Sequence, residues 1–565
     1  MAAVEGTIRA WGGRFIGCRR PNPWSLGAFL VAALIAAPLA AVVFLALSPS
    51  GGIWGHLLAT VLPRYVRTTL GLMLGAGLGT LVIGAGTAWL VTLCRFPGRK
   101  IFEWALLLPL AIPTYVVAYV YTDLLEFAGP VQGWLREAFS WTTGRDYWFP
   151  EIRSLGGAIS MMTLVLYPYV YLLARVAFSE QSACVLEAGR TLGRGPWLGF
   201  FTIALPLARP AIVIGVSLVL MEALNDFGTV DFFAVETMTT GIYDVWLNMN
   251  NISGAAQMAA VTLAFGAVLI SAERWARRGQ RYYQTNSKSH DLPSYRLAGG
   301  RALLAFLGCL LPIALGFLLP ASVLFRFALR FYEDTLSGDF FVFVRNSLTL
   351  SLTSAFFAVA VGLYLAYGVR QSGTRSLKAA SRISSIGYSV PGAVLAVGVM
   401  IPLAQIDAVT ESIFGASTGL VLSGTIFAVT YGYLVRFLAL SYGTSEASLA
   451  KVTPSMDGAA RTLGLEPFQT LRRVHFPLIR RSVLAAGILV FVDCMKELPM
   501  TIILRPFNYE TLATSVHQFA SDELLEEAAL GALTIVVAGI LPVILLSVAI
   551  RKSRLGPGVH GRAWG

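Results

Sequence analysis

Four carboxylates stand inside stretches that are otherwise oily: Glu222 and Asp226 in "SLVLMEALNDFG", and Asp493 and Glu497 in "LVFVDCMKELPM". Each pair is spaced i, i+4, which on a helix puts both groups on one face. Counted at 1.5 Å per residue from Pro210 or Arg481, they sit roughly 18 and 24 Å into an apolar run. A charge there costs roughly 2.5–3.5 kcal/mol on insertion scales, so it needs a reason. One reason is transport chemistry. Carboxylate oxygens are hard donors that suit hard cations, and Glu222, Asp226, Asp493 and Glu497 could be passing ligands that lower the barrier for a highly charged metal ion. The other is scaffolding, since Lys496 can pair with a neighbouring carboxylate and tie helices together. Both readings stand open at this point.

The elements that must hold these groups are membrane spans. Of 565 residues, 56% are hydrophobic and only 13% charged, and the mean hydropathy is +0.68; soluble chains carry about 25% charged residues. Runs long enough to cross a hydrocarbon layer of about 30 Å recur. They are continuously apolar, not alternating, so helices are expected and a barrel is not. About twelve spans are predicted, near 27–47, 68–93, 101–125, 155–177, 208–230, 256–272, 302–325, 346–369, 383–405, 419–442, 482–504 and 528–549. Starting from an inside N-terminus, the inner segments hold 30 Lys and Arg and the outer ones 9, which places both termini in the cytoplasm. The net charge of +12 is mostly this asymmetry. No basic domain remains for nucleic acid, and the basic linker at Glu273–Arg301 is expected to meet anionic membrane lipid. Five scattered cysteines without a CxxC pair predict no disulfide. The first apolar run reads as a span and not as a cleavable signal peptide.

The chain repeats itself. "RTLG" occurs at Arg190–Gly193 and again at Arg461–Gly464. The ungapped register around it aligns Pro206 with Pro477, Glu222 with Asp493, Asn225 with Lys496, Asp226 with Glu497 and Gly228 with Pro499. Two parallel six-span halves follow, with a pathway expected along their interface. The division is a tail 1–24, a first half 25–272, a linker 273–301, a second half 302–550 and a tail 551–565, both tails and the linker being cytoplasmic. If the halves pack about a pseudo-twofold axis, the two acidic faces converge around it. The aromatic clusters "YVVAYVYTD" and "YPYVYLLAR" are expected to pack helices, and His56, His475 and His517 lack a second histidine at metal-ligand spacing. Segments near Thr240–Asn250 and Thr511–Phe519 are expected to form short surface helices on the outer side.

Both "RTLG" loops lie in cytoplasmic breaks of about 30 residues, longer than a connection needs. The first reads E-A-G, three residues, G, nine residues, I-x-L-P from Glu187 to Pro206. It resembles the EAA loop of ABC-importer permeases. The second, 458–477, is more degenerate, with Gly458, Val474 and Phe476 in place of the glutamate, isoleucine and leucine. The stretches "LNDFGTVDFFAVETMTTGIYDVW" and "DCMKELPMTIILRPFNYETLAT" resemble the fused permeases of ferric-iron importers. The resemblance implies an all-α integral membrane protein with the type I ABC-importer permease fold. It also implies ATPase-coupling roles for Glu187, Ala188, Gly189, Gly193 and Pro206 and for Ala459, Ala460, Gly464 and Pro477, with the glycines turning each loop. Glu222, Asp226, Asp493, Lys496 and Glu497 would line the pathway or its gate. The implied partners are two copies of an ABC ATPase and a periplasmic substrate-binding protein, with ferric iron moving by alternating access. No GxxxxGK[ST] loop occurs in the sequence, so ATP and Mg are expected on the ATPases and no cofactor in this chain, which is not expected to be an enzyme. Thiamine or phosphonate as cargo remains open, and so does a gradient-driven secondary transporter.

Overall fold

Continuous apolar runs leave the backbone one way to satisfy its polar groups in lipid, the helix. The computed structural model describes residues 23–554 apart from 180, 182, 194, 278–294, 337, 385 and 415–419. Most of both predicted tails and of the linker lie outside those residues. Among the described residues the regular structure is helical except for one parallel pair, β1 (Cys94–Arg95) with β2 (Tyr295–Arg296), which ties the end of the linker to the C-terminal end of a long helix.

The first half runs through α1 (Pro23–Ala46), α2 (Leu62–Leu93), α3 (Arg99–Ala105), α4 (Thr114–Leu125), α5 (Leu155–Ser179), α6 (Ala183–Thr191), α7 (Leu205–Asn225), α8 (Gly228–Phe232), α9 (Met238–Tyr243) and α10 (Ile252–Arg277). The second runs through α11 (Gly300–Ile313), α12 (Leu319–Arg330), α13 (Gly338–Ser372), α14 (Arg375–Ser384), α15 (Gly392–Phe414), α16 (Ile426–Ala450), α17 (Pro454–Thr462), α18 (Phe476–Met495), α19 (Pro499–Leu504), α20 (Leu512–Ser521) and α21 (Leu525–Arg554). Nine of the described helices, or ten if the bent α3–α4 region is one span, are long and apolar enough to cross a membrane. The two remaining expected spans are helical as well. α10 is apolar over Ile252–Val268, and α18 carries Arg480, Arg481 and Asp493.

Two predicted spans differ in a common way. The chain bends by 89° between Ala111 and Thr114, and α14 and α15 are separated at 385–391. Pro113 and Pro391 stand at these breaks. Proline lacks an N–H and pushes its predecessor out of the helical region, so neither run can be one straight helix.

The halves of the sequence are interlocked in space. In each half a three-helix core forms from equivalent helices: α2, α5 and α7, then α13, α16 and α18. The flanking helices cross over. α1 packs on α13, α14 and α15, and α10 on α1 and α15. Reciprocally, α11 packs on α2 and α3, while α21 packs on α12, α3 and α4. The buried stripe Ala28, Ala32, Ile35 and Val42 recurs at helical spacing on α1, and its small residues let backbones approach closely where lipid offers no hydrophobic drive.

One expectation is corrected. α9 and α20 are not surface helices. Met238, Ile242 and Tyr243 are buried, as are Leu512, Ala513 and Val516. Each begins with a threonine capping box, Thr237 with Thr240 and Thr511 with Thr514. Each first N–H donates to a hydroxyl from the core, Met238 N to Thr69 Oγ1 at 3.0 Å and Leu512 N to Ser347 Oγ at 2.7 Å. Apolar side chains and satisfied caps together carry these short helices inward.

Candidate functional site

The break after α7 and the break after α18 are built alike. Asp226 Oδ1 accepts from the N–H groups of Thr229 (2.9 Å) and Val230 (3.3 Å), and its Oδ2 from the Thr229 hydroxyl at 3.0 Å. Glu497 accepts from Met500 N and Thr501 N, both at 3.1 Å, and from the Thr501 hydroxyl at 2.8 Å. Each therefore caps the short helix that follows, α8 or α19, where unpaired N–H groups favour a carboxylate. Each has one further partner, and here the halves diverge. Thr114 Oγ1 donates to Asp226 Oδ2 at 2.5 Å, whereas Arg436 Nη1 donates to Glu497 Oε1 at 2.9 Å.

One turn earlier on each helix stand Glu222 and Asp493. Lys496 Nζ lies 2.9 Å from Asp493 Oδ1. Glu222 Oε1 accepts from the Tyr388 hydroxyl at 3.4 Å, a contact between the halves. All four carboxylates, with Lys496, line one cavity of about 110 Å³ at the seam. Arg436 and the phenols of Tyr115, Tyr169 and Tyr388 complete its polar wall. Among the described residues the buried Tyr115 hydroxyl has no hydrogen-bond partner. Among the described residues no three His, Cys, Asp or Glu side chains are grouped tightly enough to cage a metal ion. The cavity thus offers dispersed oxygen donors, of which Asp226 and Glu497 already serve as caps.

Further links cross the seam. Tyr243 donates to the Pro499 carbonyl, and the Tyr119 hydroxyl lies 2.6 Å from His517 Nδ1. Arg153 bridges Glu126 and Glu523. The sidedness predicted from sequence would put these contacts toward the outer side of the cavity.

The two "RTLG" loops run through the same elements in the same order. α6 and α17 are followed by left-handed turns at Gly193 (φ 77°) and Gly464 (φ 76°), a conformation that costs an L side chain roughly 1–2 kcal/mol. Single turns Pro196–Gly199 and Pro467–Thr470 follow, then π-helical turns at Phe200–Ala204 and Leu471–His475. Leu192 and Leu463, the leucines of the repeated motif, are both 79% exposed. Glu187, Ala188 and Ala459 are also exposed, while Gly189 and Ala460 are buried. Pro206 and Pro477 occupy the first turn of α7 and α18, where a missing N–H costs nothing.

The loops are anchored differently. Trp89 packs its ring 5.3 Å from Trp197 and 5.1 Å from Phe200. In the second half Arg370 holds Asp457 through Nε and Nη2 at 3.1 and 2.8 Å, and Tyr367 donates to the Pro467 carbonyl at 2.6 Å. His475 Nε2 lies 2.6 Å from Asp457 Oδ1. Burial holds the His475 imidazole below its ordinary range, outweighing the attraction of Asp457.

Doubled cores, equivalent exposed loops and a polar seam describe a transport permease. Residues 81–282 and 358–553 each match the binding-protein-dependent transport system inner membrane component. This chain belongs to that family. The permease is thus a multi-pass inner membrane protein that works with a binding protein and an ATPase and is itself no catalyst. It is 26% identical over 488 residues to the Fe(3+)-transport system permease protein FbpB 2 of Haemophilus influenzae, covering 85% of this chain and 89% of the relative. Over 212 residues it is 31% identical to the molybdenum transport system permease protein ModB of Escherichia coli, 36% of this chain and 89% of the relative. Over 230 residues it is 24% identical to a putative 2-aminoethylphosphonate transport system permease protein, PhnV, of Salmonella paratyphi A, 41% of this chain and 82% of the relative.

Sequence reasoning passed over Arg436, Tyr388 and Thr114 in this permease, and it read the clusters holding Tyr115 and Tyr169 as helix packing, whereas both phenols line the cavity. Arg436 carried a signal, being a charge near the middle of an apolar run. Thr114 and Tyr388 carried none, because only the proline-broken segments bring them to the seam.

Proposed function

We propose that this permease is the two-in-one transmembrane subunit of a ferric-iron importer, moving iron released by a periplasmic binding protein through the seam between its halves. Twelve spans in two tandem six-helix halves, of the type I permease fold and with both termini cytoplasmic, fit the helices described and the charge asymmetry of the sequence. The exposed faces of the two "RTLG" loops are the handles for two ATPase copies, which themselves hold ATP and Mg. ATP binding draws the loops together and rocks the halves, so that the cavity opens alternately to each side.

The observation that carries the cargo reading is the donor set. Four carboxylates and three phenols at one seam are hard oxygen donors suited to a hard cation, and the unpartnered Tyr115 hydroxyl leaves one donor free. The relative named for Fe(3+) transport covers most of the chain, which supports the same cargo. Dispersed donors suit a conduit, since a site that holds its ion in a cage releases it slowly. A second reading has its own support: Arg436 and Lys496 put two cations into the same cavity, and shorter relatives are named for molybdenum and phosphonate transport.

The permease, reconstituted in liposomes with its ATPases and binding protein, decides between them. ATP hydrolysis stimulated by binding protein loaded with ferric ion, and not by molybdate or 2-aminoethylphosphonate, is the expected result. Stimulation by either anion alone would replace the cation reading. Uptake that persists without any ATPase, driven by an ion gradient, would overturn the importer mechanism.

A further inference from the structure

We propose that the Arg436 guanidinium is a tethered counter-cation that plugs the seam cavity between transport cycles, occupying the acidic place a cargo cation would take. This deepens the ferric-iron reading and rests on it for the identity of the cargo. Arg436 lies ten residues into α16 with fourteen more to its end, so roughly 15 and 21 Å of helix flank it. It is a mid-membrane charge, 7% exposed, aimed into the cavity.

Its bonding leaves most of its donors unspent: besides Glu497 the guanidinium carbon lies 5.5 Å from the Phe437 ring centroid. Glu497 is already held by two N–H groups and a hydroxyl and does not need the guanidinium to cap α19. Among the described residues Arg436 makes a single hydrogen bond, through Nη1, and its buried Nε has no partner. Arg370, a structural arginine of the same half, uses Nε, Nη1 and Nη2 on Asp457 and the carbonyls of Leu449 and Val452. Arg175, on Glu103, likewise leaves its Nε without a partner among the described residues but still uses both Nη1 and Nη2; Arg436 uses Nη1 alone.

The slot it occupies is made by Gly392. A Cβ there would overlap the guanidinium and lie 2.9 Å from Glu497 Oε1. Gly392 follows Pro391 as Thr114 follows Pro113. In the first half the threonine hydroxyl sits on the capping carboxylate, and in the second the glycine leaves room for a swinging cation. The charged groups around Arg436 are Glu497, Glu222, Asp493 and Lys496, with Asp226 further along the cavity, and the phenols of Tyr169, Tyr388, Tyr243 and Tyr433 and the Cys494 thiol also face it. Lys496 is occupied by Asp493 on its own helix end, so Glu222, across the seam, is the acceptor to which a displaced guanidinium can turn. Arriving cargo takes the Glu497 side and releases the arginine; departing cargo lets it return, and small cations find no bare acidic path.

The test is passive permeation. The permease with its ATPases is placed in liposomes loaded with dipicolinate, and Tb3+, a hard trivalent ion, is added outside without ATP. Wild type is expected to stay dark. Arg436→Gln should raise the Tb3+ signal on the order of tenfold, Arg436→Lys should restore tightness, and Gly392→Ala, which crowds the guanidinium but keeps its charge, should leak to a smaller extent. Arg436→Gln as tight as wild type, or Arg436→Lys as leaky as Arg436→Gln, overturns the plug. If Arg436→Gln fails to assemble, Gly392→Ala decides, and tightness there overturns it. The two readings fail separately. Import of an anion by wild type refutes ferric iron without touching the leak, whereas ferric import beside a tight Arg436→Gln refutes the plug alone.

Discussion

At the scale of single residues, four carboxylates that look equivalent in sequence divide into two kinds. Asp226 and Glu497 are caps with several donors apiece, whereas Glu222, with one long hydrogen bond, and Asp493, paired with Lys496, face the cavity without capping a helix. Asp226→Asn and Glu497→Gln should therefore lower thermal stability in detergent, by about 0.5–2 kcal/mol each, the usual range for a lost cap. Glu222→Gln should leave stability unchanged and reduce substrate flux. A stability loss at Glu222 equal to that at Asp226 would make it scaffold. The i, i+4 spacing placed each pair on one face, but it could not divide the roles. Capping depends on where the helix stops, and α7 and α18 stop between the members of each pair.

At the scale of elements, the paired loops share a backbone but not an anchor. Leu192→Asp and Leu463→Asp should each weaken ATPase binding about tenfold, as for a central interface anchor, with the melting temperature of the permease alone unchanged. A shift in that temperature would instead make these leucines part of the fold. The anchors respond differently to acid. The folded His475 binds its proton less readily than the unfolded one does, so its contribution is present above the ordinary value of 6.5 and is lost as the pH falls below it. Amide exchange in 454–477 should accelerate as the pH is lowered from about 7.5 to about 5.5, after correction for intrinsic rates, while 183–206, held by Trp89, Trp197 and Phe200, changes less. Equal acceleration in both loops would refute the assignment to His475. The glycine turns were legible from the repeat; the anchors were not, because Trp89, Arg370 and Asp457 meet them only after folding.

At the scale of the whole molecule, each half wraps its flanking helices around the other. A protease site inserted within 278–294 and cleaved after assembly should leave two fragments that stay together through purification, since α1 and α10 seat on the second half and α11 and α21 on the first. Fragments that separate in mild detergent would show the linker, not the exchange, holding the halves. Composition by itself determined that the chain is a helical membrane protein, because only continuous apolar runs satisfy a backbone in lipid. The internal repeat determined that there are two equivalent halves with equivalent loops, because residues at matching register build the same turns. What the tertiary structure alone decided is which half each flanking helix covers and which polar groups meet at the seam. A lipid-spanning helix is oily on every side, so its sequence does not name its neighbour. Thr114 and Tyr388 reach the carboxylates because Pro113 and Pro391 break two spans beside the seam, whereas Arg436 reaches Glu497 because α16 packs directly on α18.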